Sequence, residues 1–168
     1  DVQDPFWMLR ACGVACLKMV AEFYGKETED IVTLCHEAES RGGYHMTNGW
    51  VHDYLVTRAQ AYGLQANREE GLESLLLIKQ SIEKGNPVIV SVEKRVLEQT
   101  RFHMIVLVGY ENDTFLYHEP ESTDKEKGNY YKFQLALNAK GIFKERFDGG
   151  FFILSKLLTN LSDIDYFP

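Results

Sequence analysis

The spacing of apolar residues predicts helices in the first half of the chain. In four segments apolar positions recur every three or four residues, which is the periodicity of a helix with one buried face. A glycine directly follows three of these segments, and glycine ends helices readily because it adopts left-handed backbone at no steric cost. The four predicted helices cover residues 11–24, 28–38 with Thr28 as the cap, 47–62 with Thr47 or Asn48 as the cap, and 72–84.

The pattern changes after residue 86, where short runs of β-branched and aromatic residues replace the helical spacing. Runs of this kind, bounded by turn residues, favour strands. Helices followed by strands predict an α+β fold, with a helical half packed on a mostly antiparallel sheet. The predicted strands are 87–92, 102–110, 115–118, 130–133 and 151–154, with a loop over 119–129 and a tail from about 157.

The composition is that of one folded domain spanning residues 1–168. A chain of 168 residues with 45% hydrophobic residues can bury a sizeable core, which excludes a disordered chain. The 25 acidic and 18 basic residues give a net charge of -7, so the chain is a poor general binder of nucleic acid. No apolar run approaches the roughly 18 residues that a membrane-spanning helix needs.

Three cysteines cannot form a closed disulfide framework, and free thiols are typical of a reducing compartment such as the cytoplasm. Cys12 lies at the start of the first predicted helix, where the helix dipole favours the nucleophilic thiolate. Gly13 would let a substrate backbone approach that sulfur. Taken alone, Cys12 is equally well interpreted as a small buried residue. Cys16 and Cys35 lie on apolar helix faces and are predicted core residues.

His103 is the most informative histidine because it directly precedes the apolar run 104–108 and so opens it. A titratable ring at the solvent-exposed end of a buried strand can act as a general base, although a single histidine there can equally be structural. A zinc site is disfavoured because the sequence has no C-x-x-C pair, and Cys12 and Cys16 would both have to leave a core face. No phosphate-binding, dinucleotide-binding or calcium-binding motif is present, so neither a cofactor nor a metal is predicted.

Gln3 carries an amide that can donate a hydrogen bond to the oxyanion formed when a thiol attacks a carbonyl. Together with Trp7 and the segment ACGVACLKMV at 11–20, it forms a pattern that resembles the nucleophile region of the bacteriocin-processing (double-glycine leader) cysteine peptidases and their stand-alone relatives. The segment RFHM at 101–104 resembles the one that carries the catalytic histidine in that family. The similarity extends over about residues 1–154.

The resemblance implies a papain-like fold and a thiol peptidase acting on a peptide or protein substrate. Cys12 would be the nucleophile, His103 its base and Gln3 the oxyanion donor. Glu119 would orient the histidine, in a position where the family usually has Asp or Asn before the proline. The implied reaction passes through a thioacyl-enzyme that water or an amine then resolves. The alternative is a catalytically silent domain of the same fold that binds peptides without cleaving them.

A double-glycine leader is not inferred as the substrate. Leader-processing members of the family are usually fused to a membrane transporter, and this chain shows no transporter.

The turn between the strands 102–110 and 115–118 decides whether Glu119 can reach His103. A three-residue turn places the two side chains on one face of the hairpin. A turn of two or four residues directs Glu119 to the other face, unless a β-bulge restores the register. The turn lacks the Asn-Gly pair that would favour two residues. Assigning Glu119 as the third member therefore predicts either an odd turn or a bulge.

Overall fold

A computed structural model describes residues 4–70, 74–96, 99–111, 114–120, 130–134 and 147–156. Gln3, most of the predicted loop over 119–129 and the predicted tail from 157 lie outside these ranges. In chain order the described elements are a 3-10 turn at Trp7–Leu9, α1 at Cys12–Phe23, α2 at Ile31–Ser40, β1 at Tyr44–His45, β2 at Gly49–Trp50, α3 at His52–Ala61, β3 at Leu64–Glu70, α4 at Ser74–Glu83, β4 at Val88–Val96, β5 at Gln99–Glu111, β6 at Thr114–His118, β7 at Tyr130–Gln134 and β8 at Phe147–Lys156.

Six of the described strands form one sheet in the order β3-β8-β4-β5-β6-β7, and each neighbouring pair is antiparallel. The two-residue strands β1 and β2 form a separate hairpin. This arrangement confirms the predicted α+β class with an antiparallel sheet.

Apolar side chains cover both faces of the middle of strand β5, which explains the uninterrupted apolar run at 104–108. Met104 and Val106 pack in the core shared with α1, α2 and α3. Ile105 and Leu107 pack on the other side, with residues of α4 and β4. Successive residues of a strand point to opposite faces, so a strand buried on both sides shows no alternation.

Two of the four helices, α2 and α3, begin later than predicted. Helix α2 is capped by Asp30, whose carboxylate accepts the Thr33 N–H at 3.0 Å. The predicted cap, Thr28, instead accepts a hydrogen bond from the Lys18 ammonium at 2.7 Å. Helix α3 begins only at His52, because residues 44–45 and 49–50 pair as a hairpin. Helix α4 is described over Ser74–Glu83, and its predicted start at residue 72 lies outside the described residues.

Strand β3 was not predicted, because its sequence LQANREE is mostly polar. Only Leu64 and Ala66 of its described side chains are buried, so the apolar signal is confined to two positions. Strand β5 begins at Gln99, four residues before His103. The prediction that His103 opens the strand is therefore wrong. The prediction that its ring is partly exposed to solvent is also wrong, since the residue is only 4% exposed.

Candidate active site

Cys12 is the first residue of α1, and hydrogen bonds of the preceding 3-10 turn fix how the chain reaches it. The Asp4 carboxylate accepts the N–H groups of Phe6 and Trp7, at 2.8 and 3.3 Å. The backbone N–H groups of Arg10 and Ala11 both donate to the Trp7 carbonyl at 2.9 Å. This network places the Cys12 thiol at the positive end of the α1 dipole.

The indole of Trp50 occupies the space beside Gly13. A Cβ on Gly13 would lie 2.5 Å from Trp50 Cγ, closer than carbon atoms approach one another without displacement. The interpretation of Gly13 as an opening for a substrate backbone is therefore wrong for this side of the glycine. The sequence contains Gly49-Trp50 without any sign that the indole would reach α1.

His103 and Glu119 are joined by a hydrogen bond between Nε2 and Oε1, at 2.5 Å. Both side chains are shielded from solvent, at 4% and 15% exposure. The connection between β5 and β6 is the two-residue form, since Glu111 pairs with Thr114. A register shift between Leu107 and Gly109 then restores the parity, and that is the bulge that assigning Glu119 required.

The His103 ring also hydrogen-bonds to Cys12, and the two partners together determine its charge. Burial alone would lower the pKa of His103 from 6.5, because a dry environment disfavours the charged ring. The hydrogen bonds to Cys12 and Glu119, and the negative charges of the same two groups, raise the pKa to about 9. The imidazole is therefore protonated at neutral pH.

The other two cysteines are fully buried, as predicted for core residues. Burial raises the pKa of Cys16 well above that of an ordinary thiol, and the charges of Cys12 and Glu119 add to the effect. Burial likewise raises the pKa of Cys35, to about 12. Both groups remain neutral thiols near pH 7 and are poor nucleophiles.

The structure brings Cys12, His103 and Glu119 together, while Gln3 lies outside the described residues. His36 is mostly exposed on α2. Within the described part of the chain, no three His, Cys, Asp or Glu side chains are grouped to hold a metal ion. None of the helices described is both long and apolar enough to cross a bilayer.

Comparisons with known proteins show the family and the fold of this chain. The family model described as "Peptidase_C39 like family" matches residues 2–146. A crystal structure described as a C39-like peptidase from Bacillus anthracis is similar over 88% of this chain and 90% of its own, with 15% sequence identity and a TM-score of 0.61. The peptidase domain of Streptococcus ComA, a bifunctional ABC transporter of a quorum-sensing pathway, is similar over 88% of this chain and 93% of its own, with 19% identity and a TM-score of 0.58. No curated protein matches the sequence.

Proposed function

Because the chain belongs to the C39-like peptidase family, we propose that it cleaves peptide bonds with Cys12 as nucleophile, His103 as base and acid, and Glu119 as the group that orients His103. The observation that carries the proposal is the His103 ring, which hydrogen-bonds to the Cys12 thiol and to the Glu119 carboxylate. A thiol, an imidazole and a carboxylate in this order form the triad used by thiol peptidases.

The first half of the reaction uses the charged state of His103. A protonated imidazole beside Cys12 favours the thiolate, which attacks the carbonyl carbon of the substrate peptide. The backbone N–H of Cys12 and the Gln3 amide donate to the oxyanion. His103 then gives its proton to the departing amine, the C–N bond breaks, and the acyl group stays on the sulfur.

The second half regenerates the enzyme. Neutral His103 takes a proton from a water molecule, and the resulting hydroxide attacks the thioester carbon. The C–S bond breaks, the carboxylic acid leaves, and the thiolate–imidazolium pair forms again. Glu119 holds the ring in place through both halves and stabilises its positive charge.

Cleavage of a fluorogenic peptide library tests the proposal. We expect the wild type and Cys35→Ala to release fluorophore, while Cys12→Ala and His103→Ala lose at least about 1,000-fold of the rate. Cys35→Ala is the matched control because it removes a buried thiol from the same core. A folded wild type that binds peptides and leaves every one intact would contradict the proposal and identify a silent binding domain.

A further inference from the structure

We propose that Trp50 is a positioning residue for the Cys12 nucleophile, an inference that rests on the proposed function. Trp50 is the second residue of the hairpin strand β2, and its side chain is 9% exposed. It contacts the chain on both sides of Cys12 in sequence. We assign it a role that acts through the backbone that carries the thiol.

The first contact is a hydrogen bond to the residue two positions before the nucleophile. The indole Nε1–H of Trp50 donates to the Arg10 carbonyl oxygen at 2.7 Å. That oxygen belongs to the peptide group directly before the one that contains the Cys12 N–H. Fixing this peptide plane limits the rotation of the next one, and so helps to aim both the Cys12 N–H and the start of α1.

The second contact is the packing of the ring against the residue after the nucleophile. Three atoms of the indole would lie within 2.8 Å of a Cβ on Gly13, so the ring rests on the backbone of the first turn of α1. Only glycine permits so close an approach. The ring thus limits movement of the helix start toward the β1–β2 hairpin.

Trp50 can act in this way because its own position is set from the other side. Tyr44, its partner in the hairpin, packs edge-on against the indole with ring centroids 5.2 Å apart. The ring centroid of Trp7 lies 6.2 Å from that of Trp50 and 5.0 Å from that of Tyr44. The three rings join the hairpin to the 3-10 turn that leads into Cys12. Reactivity is sensitive to such support, because misplacement of a reacting atom by about 1 Å can cost roughly 100-fold in rate.

A double-mutant cycle on the alkylation rate of Cys12 tests the proposal. We expect Gly13→Ala to slow iodoacetamide labelling of Cys12 by about 100-fold, because the new methyl displaces the indole. In a Trp50→Leu background the same change should cost less than about 3-fold, since the ring is gone. An equal penalty in both backgrounds would mean that Gly13 serves substrate access or the helix itself, and would overturn the proposal.

The variant Trp50→Phe covers the case in which Trp50→Leu does not fold. It keeps a ring against Gly13 and removes only the donor to Arg10. We expect kcat to fall on the order of 10-fold with KM unchanged, because one neutral hydrogen bond that orients the nucleophile is lost. Wild-type kcat and wild-type alkylation of Cys12 in this variant would contradict the proposal.

Leu55→Ala is the control for a general loss of stability. Leu55 is a buried core residue of α3 that neither adjoins Cys12 in sequence nor belongs to the β1–β2 hairpin. This variant should lose thermal stability and keep the Cys12 alkylation rate. Alkylation needs no substrate, so a wild type that cleaves no peptide would count against the proposed function and leave the test of Trp50 intact.

Discussion

At the scale of single residues, the charge of His103 is the feature on which the proposed chemistry depends. The ring is buried, and burial alone would keep it neutral. Hydrogen bonds to Cys12 and Glu119 outweigh that cost and raise the pKa of His103 to about 9. In the proposed mechanism Glu119 therefore has two separable effects, since its carboxylate both orients the ring and stabilises the ring's positive charge.

Two substitutions of Glu119 separate these effects. Glu119→Gln keeps a hydrogen-bonding oxygen and should retain more activity than Glu119→Ala, which loses both effects. In wild type, kcat/KM should decline as the pH rises through about 9, where His103 loses its proton. In Glu119→Gln that decline should begin at a lower pH, because the stabilising charge is gone. The measurement is a pH profile of kcat/KM, and profiles identical to wild type in both variants would mean that Cys12 and His103 work as a dyad.

Gln3 is the remaining residue of the proposed machinery. Gln3→Ala should lower kcat by about 100-fold, because one donor to the oxyanion is lost in the transition state. Gln65→Ala is the control, since it removes an exposed amide on β3. Steady-state kinetics on an accepted peptide would compare the two variants. Wild-type turnover in Gln3→Ala would remove Gln3 from the mechanism.

At the scale of elements, the packing of α1 on β5 brings Cys12 near His103. Cys12 is at one end of α1, and the helix packs on the sheet through residues such as Val14, Leu17 and Val20, all with no exposed surface. Because interiors are packed as densely as crystals, a cavity under α1 is felt along the helix.

A matched pair of leucine truncations tests this role of α1. Leu17→Ala and Leu55→Ala each remove a fully buried leucine of the same core, and each should lower the free energy of unfolding by about 2–5 kcal/mol. Only Leu17 lies on the helix that carries Cys12, so only Leu17→Ala should also slow alkylation of Cys12 in the folded protein. Urea denaturation and labelling rates provide the two readouts. Equal labelling rates in the two variants would contradict a positioning role for this packing.

The elements also show where sequence periodicity stops being informative. Helices with an apolar stripe and a glycine stop were predicted to within a few residues at their C-terminal ends, because both signals are local. The hairpin register could only be narrowed to two possibilities, since the bulge at Val108 depends on how β5 packs on neighbouring strands. Strand β3 was not predicted because its mostly polar sequence has no apolar pattern. The strand is stabilised by its antiparallel pairing with β8.

At the scale of the whole molecule, the family pattern predicted the fold because it extends over most of the chain. Residues that are far apart in sequence but share one motif, such as Cys12 and His103, were identified from that pattern. The contact between Gly13 and Trp50 was not, because it joins two segments 37 positions apart and no periodicity encodes it. The glycine at position 13 by itself indicated open space beside the sulfur, whereas in the structure the Trp50 indole fills the space beside Gly13.

The free energy of unfolding is a property of the whole chain, and His103 should make it depend on pH. Its folded pKa of about 9 exceeds the usual 6.5, so its contribution to stability is fully present below about pH 6.5 and is lost as the pH rises through 9. Between pH 7 and pH 10 the wild type should therefore lose more unfolding free energy than His103→Gln. Urea denaturation of both proteins at the two pH values measures the difference. An equal loss in both would show that the folded protein does not stabilise the charged ring.

The central claim is that Cys12 is a nucleophile activated by His103, and site-resolved alkylation tests it most directly. Wild type and His103→Ala would be treated with iodoacetamide at pH 7, and the modified cysteine identified by mass spectrometry of peptides. Cys12 of the wild type should be modified first, and at least about 10-fold faster than Cys12 of His103→Ala, because the imidazolium no longer favours the thiolate. Cys16 and Cys35 should stay unmodified in both folded proteins. First modification at Cys16 or Cys35, or equal rates at Cys12 in the two proteins, would contradict the account.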